Sequence, residues 1–181
     1  MTYSAIDLVH PALDLVNSRH GLGPDLLDDE AWLDGYLARY GYDAAGPLER
    51  AEREELAALR DLLRRIVDVV AAGASPSGDD VGRLNGVLGG SRFTRELTPE
   101  GVRLVPQRRD WSWVRAELAA ALAELVATES ARLKVCDNPE CRFAFYDSSK
   151  NRTRRWCSHT TCGNRHKLRA FRARQRYSAS R

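Results

Sequence analysis

The chain has 181 residues, 43% of them hydrophobic and 29% charged. This composition allows one ordinary globular domain plus a smaller module and excludes a fully disordered chain. No segment approaches the roughly 18 uninterrupted apolar residues of a membrane-spanning helix, and the first residues lack the basic stretch and apolar core of a secretory signal. We therefore expect a soluble, cytoplasmic protein that does not bind membranes.

The net charge of +3 conceals a strong division along the chain. Residues 132–181 contain 14 of the 28 Lys and Arg but only three acids, a charge of +11, whereas residues 1–131 carry −8. Net charge indicates partners rather than fold, and a compact basic segment favours a polyanion. We expect an acidic domain over 1–131 and a basic domain over 132–181.

The acidic part is predicted to be mostly helical. Apolar periodicity, capping residues and glycine stops indicate four helices, at about 28–40, 47–72, 77–88 and 111–130. Asp110 or Ser112 is expected to cap the fourth helix. The second is the clearest, because its apolar residues recur at spacings of 3 and 4: Leu56, Leu59, Leu63, Ile66 and Val70.

A change of period between Ser91 and Gln107 interrupts the helical pattern. Two short apolar segments flank the turn sequence TPEG, which predicts a β-hairpin. The fold class is therefore α+β, with a mostly helical N-terminal domain that carries a small hairpin. No linker separates its last helix from the basic part, so we expect the two parts to pack together.

All four cysteines lie in the basic part and form two close pairs. Each pair has four intervening residues, and fifteen residues separate the pairs: Cys136, Cys141, Cys157 and Cys162. Two thiolate pairs on tight turns suit one structural tetrahedral zinc ion. Disulfides or free buried thiols are the alternative, which the absence of a secretory signal disfavours. His159 could replace one cysteine as a ligand, though it is less well placed than Cys162.

The loop between the cysteine pairs is predicted to form a short hairpin within the zinc module. The segment RFAFYD reads as one strand, SSKN as the turn and TRRW as the second strand. Phe143, Phe145 and Trp156 would then cover the metal site as a miniature core. The alternative is that these rings stack on the bases of a single-stranded nucleic acid.

A basic helix is predicted to follow Cys162, with Asn164 as its N-cap and with Leu168 and Phe171 anchoring it on the zinc module. Its arginines recur at spacings of 4, 3 and 4, and no acid follows residue 147. Such a row of like charges is unfavourable unless an external anion neutralises it, although a solvated basic face is the alternative. We expect the following residues to contact nucleic acid: Arg154, Arg155, Asn164, Arg165, Lys167, Arg169, Arg172 and Arg176.

The segment from Cys136 to Arg174 resembles the CGNR zinc-finger family, which is named for the tetrapeptide that spans residues 162–165. The resemblance implies that the four cysteines bind zinc and that the module binds DNA. The segments ALDLVNSR and LRDLLRRIVDVVAAG resemble the ABATE-type domain of stress-induced bacterial transcription regulators. Ser18 and the SHTT segment depart from the usual patterns, but neither departure affects a cysteine.

Polar residues beside a short apolar segment at 10–20 suggest a small-molecule pocket. Asn17 and Arg19 are the candidate ligand-binding residues. Hydrogen bonds that only stabilise the local structure are the alternative.

These observations favour a zinc-dependent DNA-binding transcription regulator with a sensing or dimerising N-terminal domain, located at the nucleoid when bound. Two fingers in a homodimer would recognise palindromic sites. The alternatives are an RNA-binding zinc module and an interaction protein whose basic tail docks on an acidic surface. An enzyme is not expected, because the common catalytic motifs are missing from the sequence and a four-thiolate zinc site has no open position.

Overall fold

The computed structural model describes residues 10–21 and 23–179. The helices over these residues are α1 (Pro11–Asn17), α2 (Glu30–Tyr40), α3 (Arg50–Ala71), α4 (Gly78–Leu88), α5 (Trp111–Glu129) and α6 (Asn164–Ala179). The strands are β1 (Phe93–Thr98), β2 (Gly101–Pro106), β3 (Leu133–Val135) and β4 (Ala144–Tyr146). The predicted α+β class is confirmed. None of the helices in the described segments is long and apolar enough to cross a membrane.

Helix α3 forms the centre of the N-terminal domain. All five apolar residues that define its predicted face are buried, and both α1 and α5 pack against it. Leu118 and Leu122 of α5 are fully buried in the same core. The amphipathic pattern of α3 therefore selects the face around which the domain assembles.

The predicted helix ends are set by side-chain caps and by a glycine. Asp110, rather than Ser112, caps α5, because its Oδ1 accepts a hydrogen bond from the Trp113 backbone N–H at 3.2 Å. The Ser77 hydroxyl accepts from the Asp80 N–H at 3.1 Å and begins α4. Gly41 ends α2 in the left-handed conformation, at φ 69°, which glycine adopts without a steric penalty.

A buried arginine holds the segment after α1 against α3. Arg60 is only 3% exposed, and its Nη2 donates to Asp25 Oδ2 at 2.7 Å while its Nη1 donates to Ser18 Oγ at 3.1 Å. The hydrogen bond from Arg60 is the largest cause of the lowered pKa of Asp25. A buried charge is strongly destabilising without an opposite charge beside it, and Asp25 supplies that charge for Arg60.

The predicted hairpin is formed by β1 and β2, which pair antiparallel with Leu97 opposite Val102. Leu97 is 85% exposed, and Val102 and Leu104 are also largely exposed. The hairpin therefore presents one apolar face to solvent rather than to the helical core.

A second antiparallel hairpin forms in the basic part, but its strands differ from the prediction. Strand β4 pairs with β3, which precedes the first cysteine, and the TRRW segment forms no strand. The cause is the buried Asp147, whose carboxylate accepts from the backbone N–H groups of Ser149 at 3.0 Å and Arg154 at 2.9 Å. The Arg154 N–H, which lies in the TRRW segment, is therefore not available to a neighbouring strand.

The two parts of the chain pack together, as expected. Leu133 of β3 and Ala144 of β4 are buried in the core that contains α3 and α5. Strand β3 contacts α3, and β4 contacts α1. The hairpin that begins the zinc module is thus also part of the helical domain's core.

The Arg60–Asp25 pair predicts a pH-dependent contribution to stability. Asp25→Asn is expected to lower the free energy of unfolding by about 3 kcal/mol at neutral pH, because it removes the close charged partner of the buried Arg60 and leaves only the exposed Asp61 carboxylate, 3.7 Å from Arg60 Nε. Since the pKa of Asp25 is lowered in the folded protein, the ionised form stabilises the fold above the unfolded pKa. This contribution is lost as the pH falls through the folded pKa.

The difference between wild type and Asp25→Asn should therefore shrink below about pH 4, as measured by urea unfolding at several pH values. Asp34→Asn, which changes an exposed carboxylate of α2, is the control. A difference that stays constant down to pH 2.5 would contradict this role for the ion pair.

Candidate metal centre and nucleic-acid interface

The fold brings the four cysteine sulfur atoms together. All four Sγ atoms lie within 4.8 Å of one another, with 3.6 Å between Cys141 and Cys157 and 3.7 Å between Cys157 and Cys162. Zn–S bonds of about 2.3 Å in a tetrahedron place sulfur atoms about 3.8 Å apart. The arrangement therefore fits a four-thiolate zinc ion.

The alternatives for the cysteines do not match the geometry. The four cysteines are free, and the sulfur separations far exceed the roughly 2.05 Å of a disulfide bond. The cluster of ligand atoms found among the described residues contains these cysteines alone, and His159 is exposed. His159 is therefore not a ligand in this arrangement.

Proximity strongly perturbs the thiols. Hydrogen bonds from Cys141 and Cys157 lower the pKa of Cys136 to about 2. The bond to Cys136 raises the pKa of Cys141 to about 11, and the bond to the same residue is the main cause of the raised pKa of Cys157. One negative charge in the cluster thus opposes further ionisation. A bound divalent cation supplies the positive charge that lets all four thiols ionise.

Asn138 supports the first cysteine turn and was not singled out from the sequence. It is 3% exposed, and its Nδ2 donates to Cys162 Sγ at 3.6 Å. Its backbone carbonyl accepts from the Cys141 N–H at 2.9 Å. It therefore connects both cysteine pairs. The Asn138–Pro139 dipeptide is a turn signal that could have identified it.

The three aromatic residues form the miniature core that was expected. Phe145 is buried with Cys136 and Cys162, and Phe143 and Trp156 pack against this cluster. Rings held in this way pack against the sulfur cluster, in which Cys136 and Cys162 are buried and Cys141 and Cys157 are partly exposed. The base-stacking alternative is therefore disfavoured for Phe145.

Arg154 is used inside the module, which differs from its predicted role in nucleic-acid contact. Its Nε donates to the Trp156 carbonyl at 2.9 Å, its Nη2 donates to the Cys157 carbonyl, and its guanidinium lies over the Phe145 ring at 4.9 Å. Arg154 thus supports the second cysteine pair.

The predicted N-cap of α6 is wrong. Asn164 has helical dihedrals, and its Nδ2 donates to the Thr160 carbonyl at 3.0 Å. The helix is preceded by a π-helical turn, His159–Gly163, and Ser158 caps this turn by accepting from the Thr161 N–H at 3.3 Å. Cys162 lies in the turn, so the metal site directly precedes α6.

The predicted anchors of α6 are also wrong, because Leu168 and Phe171 remain 48% and 52% exposed. The helix is instead held by Arg169, which pairs with Glu140 and donates to Asn138 Oδ1 at 3.4 Å. The His166 ring also lies 4.8 Å from the Trp156 ring. Polar and aromatic contacts of Arg169 and His166 thus take the place of the expected apolar ones.

The remaining predicted nucleic-acid residues differ in their surroundings. Arg155 is exposed and pairs with Asp137 at 2.6 Å. The side chain of Arg176 lies outside the described residues. Three residues of α6 are exposed and have no acidic partner in the described part of the chain: Arg165, Lys167 and Arg172.

Asn17 joins the helical domain to the zinc module instead of lining a ligand pocket. It is 5% exposed, its Nδ2 donates to the Ala144 carbonyl, and its Oδ1 accepts from the Ala144 N–H, both at 2.8 Å. Arg19 is exposed. The hypothesis that Asn17 only stabilises the local structure therefore explains its position, because its side-chain amide pairs with both the N–H and the carbonyl of Ala144 in β4.

Further contacts fix the first cysteine turn to α1 and α3. Arg64 Nη1 donates to the Arg142 carbonyl at 2.6 Å, and Arg142 Nη2 donates to Asp68 Oδ2 at 2.8 Å. Gly21, at φ 61°, lies so close to the Glu140 carbonyl that a Cβ atom would overlap it. The zinc module is thus held rigidly on the helical domain.

The hydrogen bonds of Asn17 predict that a substitution in the helical domain destabilises its packing against the zinc module. Asn17→Ala should lower the free energy of unfolding by about 2–3 kcal/mol, because it leaves a buried N–H and a buried carbonyl of β4 unpaired. Chemical denaturation of the zinc-bound protein measures the change, and Asn151→Ala at an exposed loop position is the control. Equal stability of the two variants would contradict the role of Asn17.

The Asn138 contact predicts an effect on metal affinity. Asn138→Ala should weaken zinc binding by about 10- to 100-fold, as is typical when a group that supports a metal ligand is removed. Competition with a chromophoric chelator measures the affinity, again with Asn151→Ala as the control. Unchanged affinity in Asn138→Ala would show that the hydrogen bond to Cys162 does not support the site.

Two models of known protein families match the chain, one over the zinc module and one over the helical domain. The CGNR zinc finger model matches residues 132–175, and the ABATE model, described as a putative stress-induced transcription regulator, matches residues 9–129. The regulatory and zinc-finger types described by these models are not enzymatic. No curated protein matches the chain.

The zinc-finger match and the clustered cysteines together support one structural zinc ion, as predicted. Both family resemblances noted in the sequence are confirmed. Because the ABATE model covers more than half of its length, the chain belongs to the ABATE family and carries a CGNR zinc finger at its C-terminal end.

Proposed function

We propose that the protein is a zinc-dependent, DNA-binding transcription regulator whose zinc finger presents α6 to DNA. The main support for this proposal is the position of the sulfur cluster directly before α6. In this helix Arg165, Lys167 and Arg172 are exposed and lack acidic partners among the described residues. Zinc organises the turn from which this helix starts, and the helix supplies the positive charge.

The dimensions and charge of α6 suit a DNA groove. Its 16 residues span about 24 Å, and an α-helix fits the major groove of B-DNA. Arginine binds phosphate bidentately. Four thiolates and one Zn²⁺ together carry −2, so residues 132–181 retain a charge of about +9 and remain suited to a polyanion.

The N-terminal domain is proposed to sense an effector or to dimerise and thereby to control DNA binding. Its contacts with the first cysteine turn support this role, because a movement of α1 or α3 would reach the finger through Asn17 and Arg64. Asn17 itself is engaged with β4, so the proposed effector site lies elsewhere in the domain.

Two observations disfavour the alternatives considered from the sequence. The aromatic rings of the finger belong to its core, which argues against an RNA-binding loop that stacks bases. Arg169 and His166 of α6 contact the finger itself, which argues against a basic tail docked on the protein's own acidic domain.

DNA binding is tested by fluorescence anisotropy with a random-sequence duplex pool at several salt concentrations. The double variant Arg165→Ala/Arg172→Ala should bind at least tenfold more weakly. Its log–log salt slope should be smaller by about 1.8, since each lost phosphate contact removes about 0.9. Zinc removal by a chelator should abolish binding.

Arg95→Gln, which removes an exposed charge from β1, should bind like wild type. A single-stranded RNA competitor that displaces the duplex at equal concentration would favour the RNA-binding alternative. Binding that is unchanged in both the chelated protein and the double variant would contradict the proposed function.

A further inference from the structure

An open groove of about 610 Å³ lies between the C-terminal end of α3 and the zinc finger. We call it the α3–finger groove. Ala71 and Ala72 line it from α3. The finger contributes cationic side chains, including Lys134, Arg142, Arg152 and Arg155.

The charge of the α3–finger groove is strongly positive. It is lined by five cationic residues and by two acids, and both acids are already paired. Asp68 pairs with Arg142 at 2.8 Å, and Asp137 pairs with Arg155 at 2.6 Å. Lys134 and Arg152 have no acidic partner in the described segments. The helix dipole of α3 places only about half a negative charge at this end, which is less than these two cations supply.

The backbone of the groove shows a second, independent feature. In the described part of the chain, Arg142 (φ 51°) and Arg152 (φ 54°) are the two non-glycine residues with a positive φ, and both line the groove. This conformation is unfavourable for a residue with a Cβ and favours glycine or asparagine. Strain of this kind clusters at functional sites. Local structure alone does not call for arginine at either position.

The α3–finger groove is continuous with the surface of α6. The Arg155 guanidinium at the groove edge lies over the Trp156 ring at 5.3 Å. The same ring packs against His166 of α6 at 4.8 Å. A bound polyanion could therefore pass from the groove to the exposed cations of α6 without crossing an unpaired acid in this path.

From these observations we infer that the α3–finger groove binds the phosphate backbone of the DNA that α6 engages. Lys134 and Arg152 are the principal contacts, since they are not used in protein ion pairs, and the inference rests on the proposed function. Phosphate contacts carry no sequence information, so the contribution of the groove is expected to be independent of DNA sequence. It also makes α3 part of the DNA-binding surface.

The test exploits the positive φ of Arg152. Arg152→Gly relieves the backbone strain and removes the charge, so its unfolding temperature should be equal to or higher than that of wild type. Its affinity for duplex DNA should fall roughly tenfold or more, as expected for the loss of one charge-assisted contact. Its log–log salt slope should decrease by about 0.9. A residue with a merely structural role would not lower affinity while preserving stability.

Two further variants and a control complete the experiment. Lys134→Gln should produce the same loss of affinity and the same change of slope as Arg152→Gly. Arg152→Lys retains the charge and should stay within about twofold of wild type. Arg95→Gln removes one charge from a surface outside the groove and should leave the salt slope unchanged.

The outcomes separate this inference from the proposed function. If Arg152→Gly and Lys134→Gln bind like wild type while Arg165→Ala/Arg172→Ala binds weakly, the groove inference is wrong and the proposed function stands. If Arg95→Gln weakens binding as much as Arg152→Gly does, the effect is one of net charge and the inference is again wrong. If wild type binds no DNA even at low salt, both are wrong.

Discussion

Four sulfur atoms held within 4.8 Å of one another are the constraint on which the C-terminal part of the molecule depends. The buried residues of this local cluster are few, namely Cys136, Phe145 and Cys162, so apolar burial contributes little to its folding. A structural zinc ion contributes on the order of 10 kcal/mol to the folding of such modules. It also neutralises thiolates that would otherwise repel one another. Because Cys162 lies in the turn before α6, the same ion sets where the basic helix begins.

The metal centre also packs against the helical domain, so this finger is not an independent module joined by a flexible linker. Strands β3 and β4 enclose the first cysteine pair and bury Leu133 and Ala144 in the helical core. Asn17 and Arg64 add hydrogen bonds across the same boundary. Rigid contacts of this kind transmit a displacement of one element to its neighbour, because packed interfaces do not deform continuously. In the proposed regulator, they provide the physical route from the N-terminal domain to DNA.

Most of the local structure could be predicted from the sequence, and the exceptions share a cause. The periodicity of α3, the β1–β2 hairpin and the Asp110 cap depend on residues close in the chain, and all three are confirmed. The TRRW strand fails because the Asp147 carboxylate binds the Arg154 backbone N–H, which a strand would use. Leu168 and Phe171 fail as anchors because both side chains stay about half exposed, while Arg169 and His166 of the same helix contact the finger. In each failure a specific contact or packing direction overrides a valid local pattern.

The site shows the same division between local pattern and distant contact. Cysteine spacing alone identified the zinc-binding module, since a pair of thiols on a tight turn is a local property and the metal imposes the rest. The sequence also separated acidic from basic residues and thereby indicated a polyanion partner. Only the tertiary structure assigned Asn17 and Arg154 to internal support and brought Arg142 and Arg152 to one groove beside α3. These roles depend on which backbone atoms and charges lie near each side chain in space. The neighbouring atoms belong to residues far apart in the chain, as in the hydrogen bond between Asn17 and Ala144.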